Sequence, residues 1–303
     1  MRIASLLSST TEIAFALGLG DDVVGVTFEC DYPADARLGR AVLVGGLDRH
    51  AMTAREIDEA VRAASASQTP MYQLDEAAFA VSDPELVLTQ DLCRVCALPA
   101  GDVDTALDHL GCRARVVSHD PHTLDQVLES IETIAAAAGV PERGHQLTGA
   151  LRRRLASVAE AVAGRPRPRV FILEWTDPPF LAGHWVPDLV EAAGGESVLA
   201  VPGERSFETT WEAIAAADPD VVVVAPCGFD LEGATALAAQ AADRLPPGAA
   251  VWAIDANAYV VRPGPRLVDG AEQLAAILHG VGTIGEHAVR RIGPAGHLLM
   301  LDP

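Results

Sequence analysis

Five cysteines stand in this chain, and two of them form a C-x-x-C step, Cys93-Arg94-Val95-Cys96. Thiols at that spacing serve as a redox dithiol or as half of a four-thiolate set for zinc or an iron–sulfur cluster. The step follows Leu86-Val87-Leu88, an apolar run that reads as a buried strand, so it stands where a strand gives way to a loop. Cys30 and Cys227 also follow strand-like runs, whereas Cys112 precedes one. Cys30, Cys93, Cys96 and Cys227 are therefore the expected metal ligands. A dithiol at Cys93 and Cys96, or inert buried thiols, are the alternatives.

A second chemistry is the holding of a flat, largely apolar ligand between rings. Aromatic residues make up only 5% of the chain, yet Phe28, Tyr32, Trp175, Trp185 and Phe229 lie at or beside strand ends. His184 adjoins Trp185 and could reach a ligand's metal. Glu29 and Asp91 flank the proposed ligand cysteines, where a carboxylate orients a metal ligand or, in an enzyme, acts as acid or base. Asn257 and Arg262 follow the last strand of the pattern. The ligand-binding set read here is Glu29, Tyr32, Asp91, Trp175, His184, Trp185, Phe229, Asn257 and Arg262. Glu12 has a structural explanation, a capping box from Ser9 to Glu12. Gly18-Leu19-Gly20 follows a helix instead of a strand, which excludes a phosphate loop.

The elements that must carry these residues alternate between strand and helix. Residues 2–7 read as a strand, 9–17 as a helix and 23–28 as a strand, a first βαβ unit of a parallel sheet. Helices at 53–67, 75–81 and 102–110 and strands at 86–89 and 115–117 complete a lobe. Residues 124–163 read as helical except at Gly139-Val140-Pro141. Leu147, Leu151, Leu155, Val158 and Val162 form the apolar stripe of the second part. A second lobe has strands at 169–174, 221–225 and 251–254 and helices at 186–193, 210–217, 231–244 and 267–281. The expected organisation is an N-terminal α/β lobe at 1–120, linking helices at 121–164 with one long backbone helix, a C-terminal α/β lobe at 165–281 and a tail at 282–303. That tail is expected to be poorly ordered or to pack as a short extra element. In such sheets the ligand crevice lies beyond the carboxyl ends of the strands.

At 303 residues, half of them apolar, the chain can bury two cores. A formal charge of −20, spread along the chain, argues against nucleic acid or an anionic membrane surface as partner. No apolar stretch is long enough to insert in a membrane, and residues 1–7 carry no long apolar leader. A cytoplasmic location is expected, with free or metal-bound thiols.

Three stretches resemble the class III, helical-backbone substrate-binding proteins that carry cobalamin and iron chelates to ABC importers: Arg2-Ile3-Ala4-Ser5-Leu6-Leu7-Ser8-Ser9-Thr10-Thr11-Glu12 with Leu17-Gly18-Leu19-Gly20; Gly183-His184-Trp185-Val186-Pro187-Asp188-Leu189-Val190 with Ala193-Gly194-Gly195; and Pro219-Asp220-Val221-Val222-Val223-Val224. Its cobalamin-binding branch is similar also at residues 29–33, 91–96, 226–229 and 262–266. Ser8 stands where the family pattern has proline. The resemblance implies two α/β lobes with mainly parallel sheets, a ligand cleft between them, and a small metal-containing ligand such as a corrinoid or cobalamin. An ABC importer is implied as partner only if a leader precedes this start. The rival is an enzyme or metallochaperone built around an iron–sulfur or zinc centre.

Overall fold

The computed structural model describes residues 1–46, 52–67, 71–90, 101, 103, 107 and 113–299. These form two compact units, one of Met1–Pro121 with Leu128–Gly149, the other of His122–Val127 with Ala150–Pro303. Each is an α/β unit with its own sheet and core.

The first unit begins with β1 (Ile3–Ser5), α1 (Ser8–Ala16) and β2 (Val23–Thr27), the βαβ step expected from the sequence. It continues through β3 (Ala41–Gly46), α2 (Ala54–Ser67), β4 (Tyr72–Leu74), α3 (Glu76–Ser82), β5 (Leu86–Thr89) and β6 (Arg115–Ser118). The sheet order is β4-β3-β2-β1-β5-β6, parallel except for the β3–β4 edge pair. Strands that are covered on both faces read as unbroken apolar runs, and all four residues of β5 are buried. Ala4, Leu6, Leu43, Val44, Phe79 and Val87 form the core on one face.

The capping box expected at Ser9 and Glu12 does not form. Helix α1 begins one residue earlier, at Ser8, and its N-cap is Leu7, whose side chain can accept no hydrogen bond. Hydroxyls of this turn bond to the N-cap carbonyl instead. Those of Ser5, Thr10 and Thr11 donate to the Leu7 carbonyl at 3.1, 2.9 and 3.3 Å. The capping box of this unit is at α2 instead, where Thr53 N and Oγ1 both donate to Glu56 Oε2 at 2.8 Å and Glu56 N donates back to Thr53 Oγ1 at 3.3 Å. Thr53→Ala is expected to cost about 1 kcal/mol in urea unfolding, the usual worth of such a cap.

Helices α4 (Leu124–Ala137) and α5 (Pro141–Val162) follow, separated at residues 138–140, where Gly139 takes a positive φ of 77° and Pro141 opens the second helix. The second unit then runs β7 (Arg169–Thr176), β8 (Pro179–Leu181), α6 (Val186–Ala192), β9 (Glu196–Ser197), β10 (Phe207–Glu208), α7 (Trp211–Ala216), β11 (Val221–Val224), α8 (Leu231–Ala241), β12 (Ala250–Ile254), α9 (Ala256–Tyr259), α10 (Leu267–His279), β13 (Val289–Ile292) and β14 (Leu298–Leu299). Its sheet order is β10-β8-β7-β11-β12-β13-β14, with β9 beside β7. The centre β7-β11-β12 is parallel, and antiparallel strands extend both edges. The β-branched run Val221–Val224 is buried throughout at that centre. The segment after Gly282 packs as two short strands on the sheet edge, the second of the two outcomes expected for it.

Candidate functional site

The parallel centre of the second sheet sends β7, β11 and β12 out at one end, and their exit loops are stitched together by backbone bonds. Cys227 N donates to Glu174 O at 3.2 Å, and Asn257 N donates to Phe229 O at 3.2 Å. Gly228 sits at φ +86°, a backbone conformation open to glycine, and turns the chain between Cys227 and Phe229. Phe229 thereby meets Trp175 with ring centroids 5.7 Å apart at 54°, the tilted arrangement that aromatic pairs favour. Both rings are half-buried. Trp175, Phe229, Cys227 and Asn257, four of the residues singled out in the sequence, are thus gathered within one unit.

Beside them lies a partly buried polar chain that the sequence reading missed. Ser206 Oγ donates to Glu174 Oε2 at 2.6 Å and accepts from Gly183 N at 3.0 Å. Burial pushes the Glu174 carboxyl up to about 7, against the opposing effect of its bonds from Ser206 and Gly183. A carboxylate inside the apolar β7 sequence is a signal in itself; its partner, 32 residues on, carries none.

His184 follows Gly183 at φ +52°. Its backbone is bound on both sides, N to Glu204 O at 2.5 Å and O from Gly203 N at 3.0 Å. Its ring lies 5.7 Å from that of His122 and 5.6 Å from that of Trp185. Its Nε2 is buried without a hydrogen-bond partner. Burial, with the neighbouring His122 and Arg205, holds its pKa below the usual histidine value. Trp185, one of the expected ligand contacts, is 6% exposed and its indole N–H donates to Val260 O at 2.8 Å. Asp255 caps α9 through Ala258 N at 2.9 Å. Arg262 is half-buried on the following loop.

In the first unit, Tyr72 Oη donates to the Glu29 carboxylate at 3.3–3.4 Å, and the Phe28 and Tyr72 rings are 6.1 Å apart. Tyr32 is 47% exposed. Cys30 is 1% exposed, and its sulfur contacts Thr11 Oγ1 at 3.1 Å, Thr27 Oγ1 at 3.3 Å and Thr27 N at 3.4 Å. This thiol is already enclosed by donors and acceptors of its own unit. Cys227 belongs to the second unit and is half-buried. Asp91, Cys93, Cys96 and Cys112 lie outside the described residues. Among the described residues, no group of three or more His, Cys, Asp or Glu is arranged to hold a metal ion.

A family model described as periplasmic binding protein matches residues 3–245. Vitamin B12-binding proteins of Vibrio cholerae and Yersinia pestis are 25% and 24% identical, over 91% and 93% of this chain and 88% of each relative. Among solved structures, a periplasmic heme-binding protein from Pseudomonas aeruginosa aligns with a TM-score of 0.69 at 21% identity, covering 97% of this chain and 95% of that one. The periplasmic vitamin B12 binding protein of Vibrio cholerae aligns at 0.62 and 23%, covering 91% and 96%. Two α/β units of this topology, matched in sequence through 243 consecutive positions, mean that the chain belongs to the periplasmic binding protein family.

Proposed function

We propose that this protein binds a planar metal chelate of the tetrapyrrole class, a corrinoid such as cobalamin or a heme. The observation that carries the proposal is the Trp175–Phe229 pair, held by loops bonded to one another at the exits of β7 and β11. Relatives described as vitamin B12-binding proteins support the class of ligand. The metal comes with the ligand in this reading. Trp175→Ala and Phe229→Ala should each weaken the chelate by about 10- to 100-fold, since covering one aromatic ring is worth roughly 1.5–3 kcal/mol. Calorimetric titration with cyanocobalamin and with hemin is the test; affinities unchanged in both variants would remove the aromatic pair from the site.

The metal–thiolate reading through Cys30, Cys93, Cys96 and Cys227 is tested separately. An absorption spectrum and metal analysis of anaerobically purified protein would show zinc or an iron–sulfur band bound in proportion to protein if it holds. A corrin or heme spectrum, retained when Cys30 and Cys227 are changed to serine, supports the chelate. The cytoplasmic placement is tested by fractionating the source cell: recovery with the envelope assigns the importer-receptor role instead.

A further inference from the structure

Residues 203–206 of the second unit form a segment whose Glu204 and Arg205 are exposed. Two histidines far apart in the sequence hold it. His184 clasps its backbone, with His184 N donating to Glu204 O at 2.5 Å and Gly203 N donating to His184 O at 3.0 Å. His122, in the stretch 122–127 that belongs to the same unit, places its Nδ1 3.3 Å from Gly203 O. A carbonyl only accepts, so Nδ1 carries the proton of that bond. The segment ends on Ser206, which accepts from Gly183 N and donates to Glu174.

The backbone of this clasp is strained. His184 at φ +52° and Leu199 at φ +67°, just before the segment, occupy the left-handed region. Side chains adopt it at a cost, where their surroundings impose it. The clasp is also sensitive to charge. The His184 ring lies 5.7 Å from that of His122, and its Nε2 is buried without a hydrogen-bond partner. A neutral imidazole can leave that nitrogen as a bare lone pair, whereas the protonated ring must carry a buried N–H with no acceptor. His122 and Arg205 act on the ring electrostatically, and both oppose a positive charge there. The carboxylates of the surrounding elements are engaged elsewhere: Asp188 with Leu124 N at 2.9 Å, Glu174 with Ser206 Oγ at 2.6 Å and Glu191 with Arg167. Glu204 stands at an exposed position. Protonation of His122 leaves its bond to Gly203 in place, so His184 is the vulnerable ring.

We propose that His122 and His184 form an acid-sensitive catch on residues 203–206, which holds while both rings are neutral and opens when His184 takes up a proton. The segment is the part that yields, because it is exposed while Trp185, on the other side of the ring, is buried. Its departure also carries the Arg205 charge away from the ring. Lifting it withdraws Ser206 from Glu174, the residue before Trp175, and so weakens the aromatic site in acid. That consequence rests on the chelate-binding reading; release of the segment does not.

Amide exchange of the full, ligand-free chain between about pH 8 and about pH 5, the range in which histidine changes charge, tests the catch. With rates corrected for their intrinsic pH dependence, protection of the Gly203 and His184 amides should fall in acid relative to the amides of β11. The expected fall is about tenfold or more, the scale of one unsatisfied buried donor. In His184→Asn, which tolerates a positive φ and takes up no proton, protection should stay flat. His122→Gln should keep the fall and move its midpoint to higher pH, because a repelling neighbour is gone. If His184→Asn does not fold, the His184 ring resonances of the parent give the second measurement: ring titration and loss of protection should share one midpoint. Protection independent of pH in the parent, an equal fall in His184→Asn, or separate midpoints would overturn the proposal. Calorimetry with cyanocobalamin and hemin at both pH values tells the two readings apart. Release in acid by protein that binds neither chelate supports the catch and contradicts the ligand assignment.

Discussion

Gly183→Ala is expected to destabilise the second unit by about 3 kcal/mol or more, at the upper end of what an overpacked position costs. A Cβ at Gly183 would stand 2.5 Å from Arg205 C and Ser206 N and also meet Glu204 O. These are backbone atoms of three successive residues, so no side-chain rotation relieves the clash, and the whole segment must move. That segment carries Ser206, the donor to Glu174, and holds the backbone of His184. Ligand affinity should fall with stability. Gly233→Ala provides the comparison, because its Cβ would meet the Phe229 ring at 2.5 Å, a side chain that can turn. Its effect on folding should be smaller, while its effect on a ligand stacked on Phe229 should be comparable. Urea unfolding of both variants, with titration at saturating denaturant-free conditions, measures the two quantities.

Glu174→Gln should change the pH dependence of folding more than any other single substitution in the site. An unperturbed glutamate titrates near about 4.3, whereas Glu174 titrates at about 7. Between those values the folded chain keeps a proton that the unfolded chain has released. Stability contributed by this group is therefore full below about 4.3, falls as pH rises through the window and is flat above about 7. At 1.36 kcal/mol per unit the fall amounts to roughly 4 kcal/mol. Glutamine stays neutral and still accepts from Ser206, so Glu174→Gln should be the more stable protein at pH 8 by about that amount and equal to the parent near pH 4. His184 works in the opposite sense, its depressed pKa destabilising the fold as pH drops below the usual histidine range. Because His184 is common to both proteins, the difference between them isolates Glu174. Parallel stability curves from pH 4 to 8 would show that this carboxyl is not held protonated by burial.

Strands with strong local signals were legible before the fold was known. Residues 86–89 became β5 without a shift, and the four valines of β11 lie at the buried centre of their sheet. The short antiparallel strands β4, β8 and β10 were not, since two- or three-residue strands carry too little alternation to rise above their loops. The capping box was misplaced for a local reason. Ser9-x-x-Glu12 has the right spacing, but the strand-to-helix turn starts the helix at Ser8 and removes Ser9 from the cap position. Strand-end logic did bring Trp175, Cys227, Phe229 and Asn257 together. It could not foresee that Trp185 turns inward to Val260, or that Cys30 is enclosed by Thr11 and Thr27, because both depend on contacts distant in sequence or on a hydroxyl cluster without a periodic signature.

The most direct measurement is a calorimetric titration of the full chain with cyanocobalamin and with hemin, repeated on Trp175→Ala. Saturable one-to-one binding of at least one chelate, weakened about 10- to 100-fold by the loss of the indole, is the predicted result. Absence of heat with both chelates, in protein that unfolds cooperatively and carries zinc or an iron–sulfur centre as purified, would contradict it.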